Sequence, residues 1–355
     1  MPPSLREIAL GQGGVFTPEG VRRAGYSRGR ARTLLANGDW VPLGRGVYAD
    51  RIVVDGCAED PRARHALATA AALAATTEDR FAAGPSAACV LGLETLGGVP
   101  DRVTLSSARL DESARTPGSA GHGFRATVAR TLVSHVPPEQ RTSLLGMSCT
   151  AVDRTAVDLA RTTGDLRAAV VALDSAARQF GTGTDDLRAV AALQAGWPYA
   201  RRAATALDLM DERTESVLET LGRLSLRFTH LPTPQTQVWI GEHRAEMRAD
   251  FWIPGTRVLG EGDGKLKYAT PEVLWEEKQR QERAEALGYQ MVRFGWTEAY
   301  VRPQQLSERF VAAVARDRPG IGRVFPDPAW WLAQRRAGWD RSGDTEPWWL
   351  SGLDW

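Results

Sequence analysis

The stretch "TPEGVRRAGYSRGRARTLLANGDWVPLGRGVYAD", residues 17–50, decides the fold at the start of this chain. Its opening Thr-Pro pair is typical of a helix N-terminus. Ser27 is the predicted N-cap of the next helix, and Gly38 closes that helix. Two short β-prone runs around "PLGRG" follow. With the helical spacing of "SLREIALGQ" before it, the order helix, helix, helix, hairpin predicts a winged helix-turn-helix over residues 1–50.

This segment is strongly basic, although the 355-residue chain has a net charge of only +1. Residues 21–32 contain five arginines and no acid. Arg28 and Arg32 share one face of the predicted helix at i and i+4, Arg30 lies off that face, and Arg45 is at the predicted hairpin tip. The planar guanidinium of arginine can donate two hydrogen bonds at once to a phosphate or to a guanine edge, so we predict that these four residues bind DNA. The alternative is a solvated, arginine-rich helix face.

Two parts of the chain resemble AbiEi-like antitoxins, the transcriptional regulators of type IV toxin–antitoxin systems. Residues 13–50 resemble the N-terminal domain of that family. The segments "SAACVLGLETLGGVPDRVTLS" and "CTAVDRTAVDLA" resemble its second domain, which we place at residues 51–205 and predict to be mostly helical. The resemblance implies a DNA partner upstream of its own or a neighbouring gene. It also offers a cognate toxin as an alternative partner.

The last third of the chain has a different character. Amphipathic and strand-like segments over residues 211–316 predict the order α-β-β-β-α-β, and residues 317–355 form a Trp-rich tail. Acidic and basic residues gather at the predicted strand ends and on the preceding helix. The candidate catalytic residues are Glu219, Asp250, Glu261, Asp263, Lys265 and Lys267. Asp250 and Glu261 are the predicted ligands of Mg²⁺ or Mn²⁺, because hard cations prefer carboxylate oxygens.

Five segments in this order resemble the PD-(D/E)xK restriction-endonuclease-like superfamily, in the branch related to very-short-patch-repair endonucleases. They are "ESVLE", "ADFW", "GEGDGKLKY", "VLWEEKQRQ" and "LGYQMVRFGW". The resemblance implies that Glu219, Asp250 and Glu261 occupy the metal-binding acidic positions. One position departs from the pattern, since Asp263 stands where the superfamily usually has a lysine. Another lysine, including Lys278, would then have to supply the positive charge.

The sequence therefore predicts an α+β multidomain DNA-binding protein with a magnesium-dependent, endonuclease-like C-terminal domain. The alternative is a non-enzymatic regulator or antitoxin, in which the C-terminal fold serves only as a DNA or protein clamp and the strand-end acids form turns. No run of about 18 apolar residues and no secretion signal is present. The three cysteines are far apart, and no P-loop or G-x-S-x-G motif occurs. We expect a cytoplasmic protein that does not contact a membrane.

Overall fold

A computed structural model describes most of the chain. The described residues are 3–76, 79–107, 119–120, 125–126, 130–132, 136–227, 229–264, 271–317 and 324–325. They divide into two compact units. Unit 1 consists of the described residues of Met1–Thr162 and Asp186–Ala200, and unit 2 of those in Thr163–Asp185 and Arg201–Ser342. The Ser-, Gly- and Pro-rich segment 106–122, which its composition predicts to be a loop, falls largely outside the described residues, as do Lys265, Lys267 and the Trp-rich tail.

The helices occur throughout both units. They are α1 (Pro3–Leu10), α2 (Pro18–Arg23), α3 (Arg28–Asn37), α4 (Arg51–Gly56), α5 (Pro61–Ala74), α6 (Gly84–Leu91), α7 (Val152–Thr162), α8 (Leu166–Phe180), α9 (Thr184–Leu193), α10 (Ala200–Leu207), α11 (Val217–Ser225), α12 (Pro271–Ala286) and α13 (Pro303–Arg316). A short 3₁₀ helix spans Pro138–Gln140, and a π-helical turn spans Thr297–Val301.

The strands are short, and each has two to six residues. They are β1 (Val15–Phe16), β2 (Trp40–Gly44), β3 (Val47–Asp50), β4 (Arg80–Ala82), β5 (Thr104–Ser107), β6 (Ser119–Ala120), β7 (Arg125–Ala126), β8 (Arg130–Leu132), β9 (Arg141–Leu144), β10 (Met147–Thr150), β11 (Gln235–Ile240), β12 (Met247–Trp252), β13 (Val258–Gly262), β14 (Gln290–Phe294) and β15 (Val324–Phe325).

The first fifty residues have the predicted helix and hairpin order, with one added strand. β1 precedes α2 and joins the β2–β3 hairpin in an antiparallel sheet of order β1-β3-β2. The hydroxyl of Ser27 caps α3 by accepting a hydrogen bond from the Arg30 backbone N–H at 3.2 Å. Gly38 ends α3 with φ +80°, a left-handed conformation that glycine adopts without strain. The local sequence signals therefore place α3 where they predicted it.

The core of unit 1 continues past residue 50. One apolar cluster includes Leu5 of α1, Trp40 of β2, Leu67 of α5 and Met147 of β10. A five-stranded sheet of order β8-β5-β4-β10-β9 lies within the region expected to be mostly helical. Its β5 strand lies in "DRVTLSS", a run whose sequence is typical of a strand. The other strands have three or four residues and lack a clear alternation of apolar and polar side chains.

Unit 2 is built on a five-stranded sheet of order β14-β13-β12-β11-β15. Strands β11 to β13 pair antiparallel, whereas β13 and β14 pair in parallel and are connected through α12. The elements from α11 to β14 follow the predicted α-β-β-β-α-β order. Gly222 of α11 lets this helix approach the sheet, because a Cβ there would lie 2.3 Å from the Phe294 ring.

A buried polar network explains why α8 belongs to unit 2, although the predicted boundary lay near residue 205. Asp174 of α8 accepts hydrogen bonds from the Asp211 backbone N–H at 2.9 Å and from the Thr220 hydroxyl at 2.8 Å. It also pairs with Arg223 at 3.0 Å. Burial raises the pKa of Asp174 to about 6, and the nearby Arg223 opposes that rise. These contacts join α8 to α11.

Candidate functional site

The outer surface of α3 carries unpaired arginines. Arg28, Arg30 and Arg32 are exposed, and Arg45 is exposed at the β2–β3 turn. Within the described residues, none of the four takes part in an ion pair. The inner side of α3 packs Leu34 and other apolar residues against the core of unit 1. The helix is therefore held by its apolar side while its cations face outward.

The charge arrangement of α3 is unfavourable for an isolated helix. Its first turn contains arginines and no acid, next to the positive end of the helix dipole. In α2 the order is the opposite, with Glu19 in the first turn and Arg22 and Arg23 in the last. Each misplaced cation costs a helix about 0.3–1 kcal/mol at low salt. An anion at the start of α3 would offset this cost, since both the arginines and the helix N-terminus attract it.

The aromatic packing beneath α3 fixes the position of its first turn. Tyr26 lies 5.1 Å from Trp40 between ring centroids, and Trp40 lies 4.9 Å from Phe16. Partial burial raises the pKa of Tyr26, while the charge of Arg30 acts in the opposite direction. Arg30 therefore lies near Tyr26, and the three rings tie the start of α3 to the β1-β3-β2 sheet.

Unit 2 brings the predicted acidic residues to one place in its sheet. Phe251 of β12 pairs with Gly260 of β13, so Asp250 lies opposite Glu261 in this antiparallel register. Asp250 also accepts a hydrogen bond from the Gly262 backbone N–H at 2.8 Å. On the far side, Glu261 pairs in register with Arg293 of β14. The two predicted metal ligands are therefore neighbours across two strands.

Glu219 lies beside them but has a structural role of its own. It forms a capping box with Ser216 at the start of α11, in which its backbone N–H donates to the Ser216 hydroxyl at 3.1 Å and its Oε1 accepts from that hydroxyl at 2.7 Å. Its Oε2 accepts from the Glu215 backbone N–H at 3.0 Å and from Gln237 Nε2 at 2.8 Å. Burial, and then the charge of Asp250, raise the pKa of Glu219 to about 7.

Asp250, Glu261 and Asp263, with Glu215 and Glu219 beside them, form an acidic cluster. Three arginines pair with members of this cluster. Arg280 Nη1 lies 2.8 Å from Glu261 Oε1, and Arg293 lies 3.6 Å from Asp263. Arg248 forms two hydrogen bonds to Glu215, at 2.8 and 2.7 Å. Among the described residues, no three His, Cys, Asp or Glu side chains come close enough to hold a metal ion together. A cation at Asp250 and Glu261 stays a prediction based on two carboxylates.

The positive charge beside Glu261 comes from a residue that the sequence interpretation missed. Lys278 extends away from the cluster, since it is exposed, lies 3.9 Å from Glu282 and stacks over Trp275. Arg280, two residues further along α12, reaches Glu261 instead. Gln237 was also missed. It lies beside Asp250 in the sheet with φ +52°, and its Oε1 has no hydrogen-bond partner within the described residues.

Comparison with known proteins bears on unit 1 directly. Residues 3–49 match the AbiEi antitoxin family of transcriptional regulators. This match confirms the predicted likeness for the segment that contains α1 to α3 and the β2–β3 hairpin. Two proteins from two strains of Mycobacterium tuberculosis, both described as uncharacterized, are each 29% identical over 283 residues. The alignment covers 79% of this chain and 95% of each relative.

No helix in the described parts of the chain has both the length and the apolar character needed to cross a bilayer.

Proposed function

We propose that this protein is a DNA-binding transcriptional regulator that contacts DNA through α3 and the β2–β3 hairpin. The observation that carries this proposal is the set of exposed arginines at the dipole-positive start of α3, which have no ion-pair partner among the described residues. A DNA phosphate would satisfy both the arginines and the helix N-terminus. The AbiEi match over residues 3–49 supports the same role. Arg45 would contact backbone or minor groove beside the helix.

A mobility-shift assay with DNA from upstream of the protein's own gene tests this proposal. The double variant Arg28→Ala/Arg32→Ala should bind that DNA much more weakly than the wild type. The matched control is Arg201→Ala/Arg316→Ala, because both of these arginines are exposed, lie in unit 2 and form no ion pair among the described residues. Equal loss of binding in both double variants would show that only total charge matters and would refute a specific role for α3.

A second candidate function is metal-dependent cleavage of DNA by unit 2. The neighbouring positions of Asp250 and Glu261 favour it. Their carboxylates, with the amide oxygen of Gln237, are the hard donors that Mg²⁺ or Mn²⁺ prefers, and Mg²⁺ commonly binds to only one or two carboxylates plus water and phosphate. A bound cation would supply charge stabilisation to a phosphodiester under attack. Glu219 would hold Gln237 in place through their hydrogen bond.

Cleavage is tested by incubating supercoiled plasmid with the protein and Mg²⁺ or Mn²⁺. We expect Glu261→Gln to abolish nicking and Glu285→Gln, an exposed change on α12, to leave it intact. If the wild type never nicks DNA in either metal, unit 2 has no such activity and the regulator is non-enzymatic.

The antitoxin description of the matched family also suggests a toxin partner. Co-purification with the product of a neighbouring gene would test that partner.

A further inference from the structure

The guanidinium of Arg280 on α12 is held by two contacts, and its side chain is partly exposed to solvent. Its Nη1 lies 2.8 Å from Glu261 Oε1, and its Nη2 donates to the Arg248 backbone carbonyl at 2.5 Å. The Glu261 side chain is only 1% exposed, whereas that of Arg280 is 34% exposed. A guanidinium has five N–H donors, and within the described part of the chain these two contacts leave further donors that can bind a ligand. The contacts hold the group in place, and its remaining donors reach solvent beside the acidic cluster.

The other two arginines of the cluster are less suited to bind a ligand. Arg248 uses both terminal nitrogens in its hydrogen bonds to Glu215, and its side chain is 20% exposed. Arg293 pairs with Asp263 and is 24% exposed. Arg280 is the most exposed of the three and is the one that touches Glu261. It is therefore best placed to meet an anion that approaches Asp250 and Glu261.

A DNA strand approaching this cluster would otherwise meet mainly carboxylates. Asp250 and Glu261 would repel a phosphate unless a cation stood beside them, and Arg293 is already paired with Asp263. Lysine cannot fill this role at position 263, which is an aspartate, and Lys278 extends elsewhere. Arginine keeps its charge at any ordinary pH and presents two parallel donors that match phosphate oxygens.

We propose that Arg280 is the phosphate-binding residue of unit 2, which holds one DNA phosphate next to Glu261. This inference rests on the proposed action of unit 2 on DNA and names the residue that positions the strand. In this role Arg280 binds and orients the phosphate through its positive charge and its N–H donors.

The test separates binding by unit 2 from binding by α3. All variants are made in the full-length chain that carries Arg28→Ala/Arg32→Ala, and duplex DNA binding is measured in Ca²⁺ over a range of salt concentrations. Adding Arg280→Ala should lower the slope of log affinity against log salt by about 1, which is the effect of one phosphate contact. Arg280→Lys should restore the slope because it restores the charge. Arg283→Ala, an exposed neighbour on α12, should leave the slope unchanged.

A second variant guards against a folding effect. Arg280→Ala leaves the buried Glu261 without this ion pair, so Arg280→Ala/Glu261→Gln removes both charges together, and the slope should still fall by about 1. An unchanged slope in both variants, or no residual DNA binding by the parent double variant, overturns the inference. Failure of this inference can be distinguished from failure of the proposed DNA cleavage. Plasmid nicking with an unchanged slope refutes only the role of Arg280, and a reduced slope without nicking refutes only cleavage.

Discussion

Replacing Glu219 by glutamine should stabilise unit 2 at neutral and alkaline pH. The folded protein raises the pKa of this carboxyl from 4.5 to about 7, first through burial and then through the charge of Asp250. Glutamine imitates the protonated acid. Its carbonyl can accept from the Glu215 N–H and from Gln237 Nε2, and its amide can donate to the Ser216 hydroxyl. The capping box and the contact with Gln237 would therefore survive the substitution.

The size and the sign of this effect follow from the pKa shift. Between pH 4.5 and 7 the folded state holds the Glu219 proton more tightly than the unfolded state does, so the free energy of unfolding falls as the pH rises. A shift of about 2.5 units at about 1.4 kcal/mol each gives about 3 kcal/mol, lost almost completely by pH 8. The variant should therefore exceed the wild type by about 3 kcal/mol at pH 8 and by under about 1 kcal/mol at pH 5.

Hydrogen exchange in increasing urea, followed on peptides of β12 and β13, measures this stability in unit 2 alone. Wild type and Glu219→Gln are compared at the same pH, so intrinsic exchange rates cancel. Glu308→Gln on α13 removes an exposed carboxylate and should change neither value. A difference between Glu219→Gln and wild type that is equal at pH 5 and pH 8 would refute the raised pKa. It would also refute the electrostatic interaction between Glu219 and Asp250.

Two further predictions concern buried groups in each unit. Arg223→Leu removes the charged partner of Asp174, whose side chain is fully buried, and should cost unit 2 about 3–5 kcal/mol at pH 8 and less at pH 5, where Asp174 can protonate. Urea unfolding of that variant beside Arg201→Leu measures this cost, and equal stabilities would contradict it. Burial lowers the pKa of His65 from 6.5 to about 4, so unit 1 should lose about 3 kcal/mol as the pH falls through that range. His65→Asn should flatten this dependence in exchange measurements on α5, whereas the exposed His243→Gln should not.

The position of α3 could be predicted from the sequence because its determinants are local. The N-cap Ser27 and the left-handed Gly38 fix the ends of α3, and both signals lie within the helix itself or next to it. The order of strands in unit 1 could not be predicted in the same way. β4 pairs with β10 across about 70 residues, and such pairing depends on packing that no short pattern reveals.

The acidic cluster was predictable in part. The antiparallel register of β12 and β13 brings Asp250 opposite Glu261, and the sequence had placed acids at the ends of these strands. The capping box of Glu219 is visible in the sequence as the Ser-x-x-Glu pattern of "SVLE". The prediction of a catalytic role for Glu219 did not use this signal. The role of Arg280 was not visible, because its contact with Glu261 depends on how α12 packs against the sheet. Lys278 and Arg280 lie two residues apart on α12 and therefore on different faces of the helix, and only the packing of α12 shows which face meets the sheet.

The proposed regulatory function requires that α3 binds DNA through its arginines. The salt dependence of DNA affinity, measured for the wild type and for Arg28→Ala/Arg32→Ala, tests that claim most directly. If Arg28 and Arg32 each contact a phosphate, the double variant should have a slope of log affinity against log salt that is lower by about 2. The control Arg201→Ala/Arg316→Ala should keep the wild-type slope. Identical slopes for the wild type and Arg28→Ala/Arg32→Ala would contradict the account.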